Sequence, residues 1–357
     1  MKLRPDALSR PAPVAVAEVD LIRIAARVTR DLDRPRALIY WSDLAASVVL
    51  GYGGLAVALV SASAWLVAAG AIVAVLALYR AGSFIHELTH LKSAALPGFR
   101  TAWNLLVGVP LLIPSFMYES VHNLHHTRIR YGTDQDPEYL PLALMRPATL
   151  LTFVVAAAAA PLALLIRYAL LAPLSALSPA LRRHVVERYS SLSINPAFRR
   201  RLPEGAVARD WLVLETLASL WAMLLIAGAV TGVISLRAVV TVLLVVSGVM
   251  VLNQVRTLVA HLWENDGEPI SVTAQYLDTV NVPPPGLLPA LWAPVGLRYH
   301  ALHHLLPGVP YHSLGEAHRR LAEATPVGSD YHRANHAGLP GLVSRLVASS
   351  YRGGPLR

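Results

Sequence analysis

The fold of this chain is decided by His122-Asn123-Leu124-His125-His126, because a near copy, His300-Ala301-Leu302-His303-His304, recurs far downstream. With 14 His among 357 residues, chance would supply only about 0.02 copies of this HxxHH spacing. On a helix, positions i, i+3 and i+4 share a face, so each copy is expected to direct three imidazoles at one point. Neutral imidazoles in groups are typical metal ligands. The two copies therefore predict a metal site.

A third cluster, His86-Glu87-Leu88-Thr89-His90, directly follows an apolar run. Taken alone it also matches the HExxH motif of zinc hydrolases, in which two His bind zinc and the Glu is the general base. A catalytic zinc needs only three protein ligands, so a membrane zinc protease would leave both HxxHH copies without a role. We call residues 86–90, 122–126 and 300–304 the first, second and third histidine boxes.

The composition is that of an integral membrane protein. The chain is 55% hydrophobic and 15% charged, with a mean hydropathy of +0.48, which is too apolar for an ordinary soluble domain. It has no Cys, which excludes disulfides, iron-sulfur clusters and thiolate zinc sites. The net charge of +9 comes from basic segments beside apolar runs, so it predicts membrane orientation and lipid headgroup contact and no nucleic-acid binding.

The apolar runs predict two transmembrane helical hairpins. Four runs are close to the roughly 20 residues that a span requires: residues 44–60, 64–79, 211–230 and 238–252. Basic flanks place both ends of each hairpin in the cytoplasm. We therefore predict an all-α integral membrane protein with four spans, re-entrant or interfacial helices and a cytoplasmic histidine-rich cap. Its predicted parts are a cytoplasmic arm (1–43), a membrane domain (44–314) and a cytoplasmic tail (315–357).

Two further apolar stretches must begin and end on one side of the membrane if the boxes share a metal site. Residues 103–117 are short and contain Pro110 and Pro114, so they are predicted to dip into the membrane or lie on it. Residues 148–173 are long enough to span, but a strongly basic segment follows them. They are predicted to form a re-entrant hairpin broken at Pro161, or a helix in the membrane interface. Residues 19–28 are predicted to form an interfacial amphipathic helix or, alternatively, to belong to a partly disordered arm.

A lone His261 completes the predicted ligand set, since it follows the last span on the side where the boxes lie. The order HxxxH, HxxHH about thirty residues later, and a distant HxxHH after two hairpins resembles the membrane fatty acid desaturase and hydroxylase superfamily over residues 44–314. The resemblance implies that nine histidines hold two iron ions on the cytoplasmic face: His86, His90, His122, His125, His126, His261, His300, His303 and His304.

The same resemblance implies the activity and the partners. Two non-haem irons, O2 as co-substrate and two external electrons would remove hydrogen from a fatty acyl chain. Because the sequence lacks the His-Pro-Gly-Gly haem motif of a fused cytochrome b5, the electrons would come from a separate carrier, ferredoxin or similar, and its reductase. A bacterial type of this family implies a multi-pass protein of the inner membrane with both termini cytoplasmic.

Several functions stay open at the level of sequence. The first interpretation is O2-dependent desaturation of a fatty acyl lipid, and the second is a lipid hydroxylase or a carotenoid hydroxylase or ketolase of the same fold. A zinc protease and a His-rich metal transporter or scaffold are the alternatives from other classes. Transport predicts ionisable residues inside the spans, whereas these histidines follow the span ends.

Carboxylates near the boxes are candidates to accept a hydrogen bond from the non-ligating ring nitrogen and so fix its tautomer. For each of them the alternative is an ordinary solvated carboxylate. The candidates are Glu87, Glu119, Asp134, Asp136 and Glu264.

Overall fold

A computed structural model describes residues 14–92 and 94–352, without the side chains of residues 14–20. Within those ranges all the regular secondary-structure elements are helices, so the all-α prediction is confirmed. We number the helices α1 (Val14–Val28), α2 (Ala37–Val60), α3 (Ala64–His90), α4 (Phe99–Trp103), α5 (His122–His125), α6 (Pro147–Ser175), α7 (Pro179–Tyr189), α8 (Gly205–Val230), α9 (Leu236–Leu258), α10 (Val272–Asp278), α11 (Pro289–Trp292), α12 (His300–Leu305), α13 (Leu314–Ala324), α14 (Asp330–Arg333) and α15 (Leu339–Arg352).

Four of the long apolar helices correspond to the predicted spans. Helices α2 and α3 pack together as the first predicted hairpin, whereas α8 packs mainly on α6, and α9 packs mainly on α3 and α6. Small residues allow α2 and α3 to approach closely, as is common between membrane helices. A Cβ atom added at Gly54 would lie 2.7 Å from the Gly70 carbonyl oxygen, and one added at Gly70 would lie 2.6 Å from the Gly54 carbonyl oxygen. No side chain fits at either position without separating the helices. This contact fixes α3, which ends in the first histidine box.

Helix α6 differs from the prediction. The structure has five helices that are long and apolar enough to cross a membrane rather than four, and the fifth is the 29-residue Pro147–Ser175. The predicted break at Pro161 is wrong, because a 3-10 turn at Ala156–Ala159 places this proline at the start of a new α-helical segment. There its missing N–H interrupts no helical hydrogen bond.

The contacts of α6 indicate that both of its ends lie on the same side of the protein as the histidine boxes. Near its start, Leu150 packs in one cluster with Leu258 at the end of α9. Near its end, Tyr168 donates a hydrogen bond to the sulfur of Met117, five residues before the second box. An interfacial path for α6 therefore stays our prediction.

The segment around residues 103–117 returns to the side from which it left. A clamp joins its two limbs: the Asn104 side chain accepts a hydrogen bond from the Ser115 N–H at 2.8 Å and donates one to the Ser115 hydroxyl at 2.9 Å. Trp103 fixes the first limb to α3 by donating to the Ala81 carbonyl oxygen at 2.8 Å. The second box therefore lies beside the end of α3, as a shared site requires.

A polar cap carries the third box. The second half of α1 packs on α13, where Leu21 and Ala25 share a cluster with Leu321, so the N-terminal arm covers the cap. Asn281 ties the cap together, since its side chain accepts a hydrogen bond from the Leu302 N–H at 3.0 Å. The predicted division at residues 43 and 314 stays a prediction.

Candidate metal centre

The structure brings all nine predicted histidines together in two groups. Within each group, one ring nitrogen per residue lies within 4.8 Å of all the others. The first group comprises His86, His90, His122, His126 and His303, and the second comprises His125, His261, His300 and His304. The groups adjoin, because the rings of His126 and His304 stack with centroids 4.3 Å apart. A pair of adjacent metal ions would use the whole set.

Each HxxHH box is divided between the two groups, which corrects the expectation that a box directs three imidazoles at one point. In the second box His122 and His126 serve the first group, while His125 serves the second. The third box is divided in the opposite sense, with His303 alone in the first group. The reason is that each residue rotates by about 100° around the helix axis. Positions i+3 and i+4 therefore lie on opposite sides of position i around the helix. The side chains at i and i+4 face one group of histidines, and the side chain at i+3 faces the other group.

The separations between ring nitrogens fit bound metal ions. The Nε2 atoms of His122 and His126 are 2.9 Å apart, those of His90 and His303 are 3.1 Å apart, and those of His300 and His304 are 3.2 Å apart. Neighbouring ligands on an ion with metal–nitrogen bonds of about 2.1 Å lie roughly 3 Å from one another. The donor set therefore has the spacing of a coordination shell.

His86 provides a second observation that fits a metal. It is 5% exposed, and neither of its ring nitrogens has a hydrogen-bond partner among the described residues. A buried polar atom without a partner costs about 1–3 kcal/mol, so two on one ring would be a considerable penalty. A metal ion would satisfy the nitrogen that faces the first group.

Two carboxylates and a tyrosine form hydrogen bonds with the Nδ1 atoms of several candidate ligands, the ring nitrogens that face away from the two groups. The His125 Nδ1 lies 2.9 Å from one Asp136 carboxylate oxygen and 3.0 Å from the other, and the His122 Nδ1 lies 2.9 Å from Glu138. The Tyr131 hydroxyl donates to Asp278 at 2.8 Å and so accepts from the His261 Nδ1–H. Such contacts place the proton on Nδ1 and leave Nε2 free for a metal.

Of the five carboxylates proposed for this role, Asp136 is confirmed as a partner of a ring nitrogen. The other four were wrong: Glu119 pairs with Arg100, Glu264 pairs with Arg345, Asp134 is exposed, and Glu87 accepts hydrogen bonds from Tyr40 and Tyr311. Sequence reasoning missed Glu138, although it stands in the same acidic turn, 132–138. Tyr131 and Asp278 were also missed because 147 residues separate the two.

Glu87 does not have the role that a zinc protease would give it. Its carboxylate accepts hydrogen bonds from the Tyr40 hydroxyl and, at 3.2 Å, from the Tyr311 backbone N–H. One of its oxygens lies 4.0 Å from the His86 Nδ1, which is too far for a hydrogen bond. The carboxylate thus braces α3 against α2 and the cap, where it cannot act as a general base on a metal-bound water.

Burial keeps most of these imidazoles neutral. Desolvation, together with neighbouring imidazoles, lowers the pKa of His122, His126, His300, His303 and His304 well below the usual value, so their lone pairs are available at neutral pH. His125 differs: burial opposes its protonation, but the Asp136 and Glu138 carboxylates outweigh burial and raise its pKa. Burial also raises the pKa of Glu138 to about 7.

Replacing Asp136 with Asn tests the outward hydrogen bonds. We expect Asp136→Asn to bind metal in the second group about 10- to 100-fold more weakly, the usual cost of losing an outer-shell carboxylate. Elemental analysis after dialysis against a graded series of chelator concentrations measures this change. Asp134→Asn, two residues away and exposed, is the matched control. Equal metal retention in the two variants would contradict the role assigned to Asp136.

Comparison with known proteins agrees with this geometry. A family model described as "Fatty acid desaturase" matches residues 63–334, which is more than half of the chain and includes all three boxes and His261. A ceramide hydroxylase of Caulobacter vibrioides (strain NA1000 / CB15N) is 50% identical over 323 residues, which cover 90% of this chain and 92% of that protein. This chain therefore belongs to the fatty acid desaturase family of membrane oxidoreductases, whose members hold two irons in histidine boxes.

Proposed function

We propose that this protein is a membrane-bound di-iron hydroxylase that inserts oxygen from O2 into a ceramide-type lipid. The observation that carries the proposal is the 50% identity to a ceramide hydroxylase over nearly the full length of both chains. The two groups of imidazoles support the metal requirement. Hydroxylation of a lipid was the second interpretation of the sequence, and the relative now favours it over desaturation of a fatty acyl chain.

The nine histidines of the two groups would hold two iron ions. When bound, the irons supply the O2 activation that an unactivated C–H bond requires and that side chains alone cannot provide. The rest of the site holds the ligands in place: Asp136 and Glu138 keep the protons of His125 and His122 on Nδ1. The Tyr131–Asp278 pair does the same for His261.

The electron source and the location follow from the same proposal. The described residues contain no second redox site, so the two electrons would come from a soluble carrier, ferredoxin or similar, with its reductase.

Basic residues follow α6 and precede α8, including Arg183, Arg199 and Arg201, all exposed. By the positive-inside rule these basic residues support a cytoplasmic position for the histidines. We propose that both termini are cytoplasmic too and that the membrane is a bacterial inner membrane.

Isotope labelling distinguishes hydroxylation from desaturation. Purified protein would be reconstituted with iron, ferredoxin, its reductase and a defined ceramide under isotope-labelled O2, and the lipid analysed by mass spectrometry. The proposal predicts a product heavier by one labelled oxygen atom. A product lighter by two hydrogens would assign desaturation instead. Unchanged ceramide, in a preparation that oxidises a fatty acyl thioester, would overturn the choice of substrate.

A further inference from the structure

Arg256 is a buried cation that the metal site does not use. It lies in the last turn of α9, five residues before His261, and it is 8% exposed. Its Nη2 atom is buried and has no hydrogen-bond partner among the residues described. A buried guanidinium nitrogen without an acceptor is costly, and nearby bound metal ions would add to that cost. An acceptor that belongs to a ligand would remove it.

A narrow cavity joins Arg256 to the second group of histidines. Arg256, Val282, Trp292, Leu297 and His300 all contribute to its wall. The cavity volume is about 10 Å³, which is close to the minimum for one water-sized group. A phosphate or a sugar is too large for this space. The cavity therefore fits a single oxygen atom, such as that of a carbonyl or hydroxyl group.

The wall of this cavity continues into an exposed apolar surface. Leu287, Leu288 and Leu291 are 84%, 71% and 50% exposed, and they lie on or beside α11, which ends at Trp292. The Tyr79 hydroxyl donates to the Trp292 carbonyl oxygen at 2.9 Å, which fixes α11 against the membrane helix α3. Exposed leucines beside a transmembrane helix are suited to contact lipid. Because Trp292 also lines the cavity, a lipid that lies on these leucines is beside the cavity that contains Arg256.

We propose that Arg256 is a positioning residue that binds one oxygen atom of the lipid substrate and so sets which carbon lies beside the metal site. This inference rests on the proposed function. In a ceramide, the acceptor is the amide carbonyl oxygen or a hydroxyl oxygen of the long-chain base. The hydrogen bond fixes the distance along the chain between that oxygen and the carbon that is oxidised.

The test compares Arg256→Met with the wild type in the reconstituted assay on ceramide. Losing a hydrogen bond from a charged donor weakens binding of the lipid, so we expect KM for ceramide to rise roughly 10- to 100-fold, with a smaller change in kcat. We also expect hydroxylation to spread over neighbouring carbons, as located by fragmentation mass spectrometry. Arg201→Met, which removes an exposed arginine, is the control and should change neither quantity.

Substrate analogues identify the oxygen. Ceramides that lack one hydroxyl, or that carry a methylene in place of the amide carbonyl, would be given to both proteins. The analogue without the bound oxygen should show the raised KM with the wild type and no further rise with Arg256→Met. Arg256→Lys, which keeps one charged donor and guards against loss of folding, should restore part of the positional selectivity.

Two results would overturn the inference. One is a normal KM and a single product position in Arg256→Met. The other is a loss of bound iron with unchanged KM and position, which would make Arg256 a structural residue of the metal site. If the wild type leaves ceramide unoxidised, the proposed function itself fails. If the wild type oxidises ceramide and Arg256→Met gives either of the two results above, only the inference fails.

Discussion

Replacing His300 with Ala is expected to reduce bound iron from two ions per chain to about one and to abolish hydroxylation. His300 belongs to the smaller group, and its Nε2 lies 3.1 Å from that of His261 and 3.2 Å from that of His304. Without it only three imidazoles remain in this group. The loss of activity should exceed the roughly 10- to 100-fold effect of an outer-shell change. Elemental analysis and turnover on ceramide measure the two effects.

His184→Ala provides the control for this substitution. His184 is exposed on α7 and lies outside both groups, so its removal should leave two irons and full turnover. A His300→Ala protein with two tightly bound irons would contradict the assignment of His300 as a ligand. Iron loss of equal size in both variants would point to damage during purification instead.

Replacing Glu215 with Ala is expected to destabilise the protein by about 3–5 kcal/mol, the usual cost of leaving a buried charge without its partner. Glu215 on α8 is 4% exposed and Arg167 on α6 is 3% exposed. The two form an ion pair, and Arg182 binds the other carboxylate oxygen of Glu215. Glu215→Ala would leave Arg167 buried with only the hydrogen bonds that it donates to Tyr189 and Ser190. Thermal or denaturant unfolding in detergent measures the change.

A double substitution tests whether the loss of stability comes from leaving one charge buried without its partner. Because hydrophobic residues of similar volume often replace a buried ion pair at little cost, Arg167→Met with Glu215→Met should regain most of the lost stability. Glu316→Ala, which removes a partly exposed surface carboxylate paired with Arg319 and Arg320, should change stability little. A Glu215→Ala protein as stable as Glu316→Ala would show that this contact does not hold α6 against α8.

Local pattern was enough to predict four of the long helices and the nine histidines that the fold brings together. Hydropathy predicted α2, α3, α8 and α9, because a span must satisfy its backbone within one helix and be apolar over its length. The spacing of the boxes and the position of His261 predicted all nine residues of the two groups. These features depend on residues that are close in sequence.

Features that depend on distant contacts or on details of helix rotation were not predictable. The division of each box between two groups follows from the direction of His125 and His303, which spacing alone does not give. Tyr131 and Asp278 meet across 147 residues. Pro161 was expected to end a helix, but the neighbouring 3-10 turn accommodates it. Each of these features is set by packing, which no local pattern records.

The metal content of the wild-type protein tests the central claim most directly. We expect two irons per chain in protein purified in detergent, measured by elemental analysis against an amino-acid determination of protein concentration. The Mössbauer spectrum should show iron with nitrogen ligands in the two groups. One zinc per chain, retained in His300→Ala but lost in His86→Ala, would contradict the di-iron hydroxylase and favour the zinc-hydrolase interpretation of the first box.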